Sequence, residues 1–248
     1  MRFRLLTYNI HRAIGLDRQF RPDRIARILL EQDADVVLLQ EVDEGVPRSR
    51  EMDLARELAA MAGYPESAVG HNVALRKGRY GNATLSRHAI VRERNIDLTV
   101  GTRKRRGCQH TELLVTGPGG RRHRVDVFNL HLGLSARERG QQIDILMSSA
   151  EFTPPHPNTA CVVAGDFNDW RSLLREAFAR RSFRCASDRR AGGGRAIRTF
   201  PSLFPQGALD RIYYRGRLRL LWARRCRMQL AQIASDHLPI AAEFDLHG

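Results

Sequence analysis

The chain has 248 residues, with 41 Lys+Arg against 27 Asp+Glu, a formal net charge of +14 and a pI near 10.9. That surplus favours anionic partners (nucleic acid, anionic membrane surfaces, polyphosphates) through steering and counterion release, although arginine replacing lysine in a GC-rich genome would leave the same figure. Four scattered cysteines, Cys108, Cys161, Cys185 and Cys226, form no C-x-x-C pair, and no apolar run reaches spanning length, which excludes a disulfide framework, a thiolate zinc site and a transmembrane helix and fits a cytoplasmic protein.

In chain order, residues 4–10 read as a strand. Residues 21–32 read as a helix, with Pro22 in its first turn and Ile25, Ile28 and Leu29 on one face. A short buried strand covers 35–39. Leu54, Leu58 and Met61 repeat at helical spacing over 52–62, and Gly63 stops that helix. Strands follow at 71–76, 82–86, 90–99 and 110–115, and a Gly-Pro-Gly-Gly turn at 117–120 folds the last of them into 125–130. Ser135 and Glu138 have capping-box spacing, so a helix runs from there to about 149. A strand at 161–164, a helix over 172–180 and strands near 211–214, 217–223 and 239–244 complete the chain. No Ser/Gly-rich spacer, repeat or signal-peptide pattern interrupts it, and Gly192-Gly193-Gly194 reads as a loop. Residues 1–248 are therefore expected to form one domain, acting as a monomer. Strands outnumber helices, and many are joined by turns too short for a helical crossover. The pattern argues for two mixed sheets packed face to face with helices on the outer faces.

Polar residues gather where apolar strands end or begin. Four runs carry them: Thr7-Tyr8-Asn9-Ile10-His11, Leu38-Leu39-Gln40-Glu41-Val42, Gly165-Asp166-Phe167-Asn168-Asp169 and Ser235-Asp236-His237-Leu238-Pro239. Together they supply oxygen ligands for a hard divalent cation and an imidazole for proton transfer. Glu41 can hold Mg²⁺ through one oxygen and leave the remaining positions to water and substrate. Asn9 can position a cation or a phosphate oxygen. Asp166 and Asn168 alternate, so both are expected on the same side of an extended segment. An Asx turn would explain Asn168 or Asp169 alone, but not Asp166 after Ala-Gly.

These motifs, with Asn129-Leu130-His131 and Leu209-Asp210, resemble in type and order the endonuclease/exonuclease/phosphatase superfamily of metal-dependent phosphoesterases. The likeness covers nearly the whole chain, and the runs 164–170, 198–205 and 209–213 look closest to a small uncharacterised bacterial branch. The resemblance implies a four-layer α/β sandwich and a Mg²⁺ (or Mn²⁺) ion on Glu41 with Asn9 and Asp236. It implies that Asp166 orients or deprotonates the attacking water, that Asn168 hydrogen-bonds the phosphate, and that His237 is oriented by Asp210 to bind or protonate phosphoryl oxygens. Asp236 would stand by the metal or the water, and His131 is a second candidate acid. Arg87, after the segment 81–86, and Arg106, in Arg103-Lys104-Arg105-Arg106, are candidate phosphate contacts. His11 stands where abasic-site endonucleases carry Asp; this and the form of His131 count against that activity. The implied reaction is hydrolysis of a phosphodiester or phosphomonoester by in-line attack of water. Nucleic acid is the first expectation for the anionic substrate; a phospholipid or small-molecule phosphoester is the alternative, with 200–205 as a short apolar candidate for membrane contact. A non-catalytic anion-binding module is disfavoured because every matched position is filled.

Overall fold

The computed structural model describes residues 1–153, 158–188 and 196–247; the expected loop at Gly192-Gly193-Gly194 lies outside them. Along β1 (Arg2–Asn9), Phe3 and Leu5 face one side and Leu6 and Tyr8 the other, and both sides are buried. Along β2 (Val36–Glu44), Val36 and Leu38 join the first set and Val37 and Leu39 the second. Strands buried on both faces belong to the middle of a layered stack. With β3 (Glu66–Ala74), β4 (Arg79–Ser86), β11 (Leu218–Arg225) and β12 (Ile240–Leu246) they form a six-stranded sheet ordered β11-β12-β1-β2-β4-β3. The second sheet, ordered β5-β6-β7-β8-β10-β9, contains β5 (Ala89–Asp97), β6 (Gly107–Thr116), β7 (Arg122–His131), β8 (Ala160–Asp166), β9 (Arg184–Cys185) and β10 (Asp210–Arg215).

Phe3, Leu5, Val36 and Leu38 pack between the sheets against Val125, Val127, Val162 and Ile212. The outer face of the first sheet is covered by α1 (Pro22–Gln32), α2 (Leu54–Ala62) and α5 (Gln229–Ala234), and that of the second by α3 (Ala136–Ser148) and α4 (Arg175–Ala179). The expected four-layer sandwich is therefore present. Both sheets also repeat one pairing pattern. In each, one central pair is parallel (β1 with β2, β7 with β8) and the other pairs are antiparallel. The crossovers run through α1 and α3, as parallel neighbours require.

Local chemistry sets the helix ends. Asp53 accepts from the Arg56 N–H, Gly63 closes α2 at φ 73°, and Ser135 Oγ accepts from the Glu138 N–H as the capping spacing predicts. Several expectations change, among them the strand expected at 71–76, which forms as Glu66–Ala74. The strand expected at 35–39 runs on to Glu44, because a bulge between Leu39 and Val42 lets pairing with β4 continue. The helix expected over 172–180 shrinks to Arg175–Ala179, because Asp169 accepts the Leu174 N–H in a turn where Ser172 has φ 57°. Two-residue β9 and six-residue α5 are too short to leave a periodic signal.

Candidate active site

Alternation delivers the site. If Leu5, Val36, Val127 and Val162 point between the sheets, so do Asn9, Gln40, His131 and Asp166, an even number of residues further along each strand. All four stand at or near the C-terminal ends of the parallel strands, where α/β sheets present ligand-binding groups. The two sheets meet there: Asn9 Nδ2 donates to Asp166 Oδ2 at 3.1 Å. The bulge in β2 sets Glu41 at φ 60°. His11, Arg12 and Ala13 after β1, and Asn168 after β8, also hold positive φ. Such conformations cost about 1–3 kcal/mol each and concentrate where a site needs them.

Beneath these residues the sheets are tied by amides. Gln40 Nε2 donates to Thr7 Oγ1 (3.2 Å) and Asn129 Oδ1 (2.8 Å), and Asn129 Nδ2 donates to the carbonyls of Leu39 (3.0 Å) and Ala83 (2.9 Å). Asn82 Nδ2 reaches Gly107 O and Asn129 O. Gln40 and Asn129 thus belong to the floor of the cleft.

Asp210 is the register partner of Asp166 on the neighbouring strand. Between them sits His237, with Nδ1 2.9 Å from Asp210 Oδ2 and Nε2 3.7 Å from Asp166 Oδ2. Burial opposes charge on this imidazole, but the carboxylates of Asp210 and Asp166 outweigh it and hold its pKa up at about 10. Burial also pushes Asp166 up, to about 6, against the pull of His237. Asp166 Oδ1 accepts the Asn168 N–H at 2.9 Å. His131 Nε2 is 3.5 Å from Asp166 Oδ2, yet burial, then Arg106 and His237, hold its pKa well below the ordinary value.

The donor set fits a hard divalent ion. Glu41 Oε2 is buried and accepts no hydrogen bond among the described residues; Arg12 Nε lies 3.6 Å away. Asn9 Oδ1 holds the His11 N–H at 3.1 Å, and Ser235, whose hydroxyl donates to Asn9 O at 2.7 Å, brings Asp236 alongside. No three acidic, His or Cys side chains gather as a cation cage among the described residues. Mg²⁺ needs none, since it takes one or two carboxylates and completes its shell with water and phosphate oxygens.

One wall is basic. Arg106 is only 7% exposed and its Nε has no partner among the described residues. No carboxylate pairs with its guanidinium among the described residues, a costly arrangement unless an anion completes it. Lys104 lies 5.6 Å over the Tyr80 ring and Arg48 5.7 Å from it. The Tyr80 hydroxyl meets Glu41, and burial first, then that carboxylate, raises the phenol's pKa.

Several expected residues behave differently. Arg87 lies outside the cleft: Ser86 pairs with Val36 at the start of β2, the opposite end from Glu41, and Arg87 Nη2 is bound to Asp33 Oδ1 at 2.6 Å. Asn168 does not alternate with Asp166 on an extended segment. Its φ is 50° and its Nδ2 donates to Leu132 O at 3.0 Å, an Asx-type turn around Asp166. His131, held neutral, is a donor through one ring N–H and not an acid with a proton to spare. Asp169 caps the turn to Leu174, and Trp170 packs against Phe200 and stays largely exposed. Residues not anticipated are Thr199, whose hydroxyl donates to Asp210 Oδ2, Ser235, which holds Asn9 O and the His237 N–H, and Arg12. Ser235 belongs to the run 235–239; Arg12 is one arginine among many.

Comparison with known proteins gives the fold class first. The chain matches a crystal structure of an endonuclease/exonuclease/phosphatase from Beutenbergia cavernae with a TM-score of 0.79, at 21% identity, over 100% of this chain and 72% of that one. It matches a mannosyl-6-phosphatase from Bacteroides thetaiotaomicron with a TM-score of 0.73, at 18% identity, over 98% and 99%. The sequence then gives the family. Residues 6–237 match the Endonuclease/Exonuclease/phosphatase family, and the chain belongs to it. The uncharacterized protein YbhP of Escherichia coli is 31% identical over 98% of this chain and 96% of its own. Members of the family are metal-dependent phosphoesterases.

Proposed function

We propose that this protein hydrolyses an anionic phosphate ester by in-line attack of water, with Mg²⁺ or Mn²⁺ as cofactor. The observation that carries this reading is the Asp210–His237–Asp166 arrangement, with the buried Arg106, whose Nε has no partner among the described residues, on the same wall as His131. Asp166 is the proton acceptor for the water: with a pKa near 6 it is ionised at neutral pH and remains basic enough to take a proton. Asn9 Nδ2 and the Asn168 N–H fix its two oxygens. His237 stays charged and turns Nε2 toward the same point, ready to donate to a phosphoryl oxygen as negative charge builds. Asp210, itself held by Thr199, keeps Nδ1 occupied and the ring oriented. Arg106 offers a second cation to the non-bridging oxygens, and neutral His131 a further N–H. A divalent ion on Glu41, with Asn9 and Asp236, would supply Lewis-acid stabilisation of the oxygen that leaves.

The test is turnover of bis-p-nitrophenyl phosphate and p-nitrophenyl phosphate with Mg²⁺ or Mn²⁺ and with chelator. Metal-dependent hydrolysis is expected, with Glu41→Ala and His237→Ala each slower by roughly two orders of magnitude and normally folded. No turnover by the unmodified protein, or near-normal rates in either variant, would overturn the reading.

A further inference from the structure

The four most exposed large apolar side chains among the described residues are Leu134 (78%), Phe204 (77%), Leu173 (57%) and Trp170 (55%). All four, with Leu203 (49%), lie on loops that border the candidate active site. Leu134 follows β7 by three residues, Trp170 and Leu173 follow β8, and Leu203 and Phe204 tip the loop 200–207. Scattered apolar residues need no explanation; a set collected on one rim does.

The rim is one connected surface. Arg139 joins its first two loops, with Nη1 donating to Leu134 O at 2.6 Å and Nη2 3.7 Å from Asp169 Oδ1. Trp170 packs edge-on against Phe200 at 5.9 Å and lies over Gly207, where a Cβ would meet its ring at 2.8 Å. The Gln206 and Gly207 N–H groups both donate to Phe200 O, which closes the loop that carries Leu203 and Phe204. Ser202 Oγ donates to Gln232 O in α5, and the Leu16 N–H to Ile233 O, so half-exposed Leu16 and Ile233 extend the surface. Phe200 in turn lies 5.0 Å from the His237 ring. The apolar rim therefore begins where the reacting centre ends.

Charge indicates what covers it. Exposed Arg18, Arg137 and Arg171 each lie within three residues of a rim side chain. Two carboxylates near the rim have partners, Asp17 with Arg24 at 2.7 Å and Asp169 with the Leu174 N–H and, at 3.7 Å, Arg139. An apolar surface with exposed arginines close by in sequence, on a chain of net charge +14, matches the interface of an anionic bilayer, where apolar side chains enter the acyl boundary and guanidinium groups meet headgroup phosphates. A base-stacking platform fits less well, since three of the five rim side chains are leucines without a π face.

We propose that this rim docks on an anionic lipid membrane and that the ester entering the cleft is the headgroup phosphodiester of a phospholipid. This rests on the phosphoesterase reading above. One water is consumed: its oxygen bonds to phosphorus, one proton passes to Asp166, the P–O bond to the departing alcohol breaks with its electron pair on oxygen, and that oxygen takes up a proton.

The experiment combines sedimentation with phosphatidylcholine vesicles, with and without phosphatidylglycerol, and ³¹P NMR of vesicles containing phosphatidylglycerol, phosphatidylserine and phosphatidylethanolamine in the presence of Mg²⁺. The unmodified protein is expected to sediment with the anionic vesicles and to convert a lipid phosphodiester. Leu134→Asp/Phe204→Asp should weaken partition by about tenfold or more, with lipid turnover falling in step. Its hydrolysis of soluble bis-p-nitrophenyl phosphate and its Tm should not change, since both side chains are solvent-exposed and stand outside the reacting groups; Leu203→Asn is the milder second variant. Absence of vesicle binding, or binding unaffected in the variants, would overturn the docking surface. Hydrolysis of bis-p-nitrophenyl phosphate with every lipid phosphorus intact would overturn the substrate. Loss of single-stranded DNA cleavage in the same variants, without vesicle binding by the unmodified protein, would make the rim a base platform. Failure of the phosphoesterase reading itself shows separately, as inactivity of the unmodified protein on bis-p-nitrophenyl phosphate.

Discussion

Burial alone would strip His237 of its charge; Asp210 at 2.9 Å and Asp166 at 3.7 Å restore it. In the metal-free protein its ring resonances should therefore titrate near pH 10, against about 6.5 for a free imidazole. Asp210→Asn removes the nearer anion and should move that midpoint down by at least one pH unit, read by NMR; an unchanged midpoint would mean that Asp210 does not set the charge. The sign for stability follows. A folded pKa above the unfolded one makes the charged pair fully stabilising below about pH 6.5, with the contribution lost as pH rises through about 10. Denaturation of the metal-free protein at alkaline pH should thus show a smaller pH dependence in Asp210→Asn than in the unmodified chain.

At the scale of elements, the site depends on how closely β7 and β8 approach. Gly165 has φ 142°, and a Cβ there would lie 1.9 Å from Leu130 O. Gly165→Ala must push the two strands apart one residue before Asp166. A loss of about 3 kcal/mol or more is expected in chemical denaturation, together with lower turnover. The amide ties between the sheets make a second case. Asn129→Leu strands the carbonyls of Leu39 and Ala83 and one donor of Gln40, all buried. About 3 kcal/mol of destabilisation is the expected order, from unsatisfied groups and not from lost volume. A variant as stable as the parent would show that water replaces those partners.

Across the whole molecule, the two ends of the sandwich are not equivalent. The C-terminal ends of both parallel pairs meet at one edge, where Arg106 is buried with no carboxylate partner among the described residues; Arg87, at the other edge, is bound to Asp33. Arg106→Gln should lower kcat/KM for bis-p-nitrophenyl phosphate by about tenfold or more, whereas Arg87→Gln should leave it within about twofold, since an exposed ion pair contributes little. Equal effects would contradict this placement. The same polarity puts the basic wall and the apolar rim on one edge, so overall charge steers the molecule and the cleft edge determines which face arrives first.

The layered α/β class, most strands and the carboxylate, amide and imidazole residues were legible in the sequence, because alternation and helical spacing are local patterns and the motifs keep short spacings around strand ends. Asp210 was legible as the partner of His237 only through its motif, since 27 residues separate them. Three things required the fold. The bulge that turns Glu41 toward the cleft depends on pairing with β4, a strand more than thirty residues away. The neutrality of His131 and the raised pKa of Asp166 come from burial and from charges on other elements, which no local pattern encodes. The separate positions of Arg87 and Arg106, both plain arginines in sequence, follow from strand direction alone: antiparallel β4 carries its C-terminal end away from the cleft, while β6 starts beside it. Sequence determined which groups were available; the register between strands distant in the chain decided which of them meet, because a side chain's neighbours across a sheet are set by pairing and not by proximity along the chain.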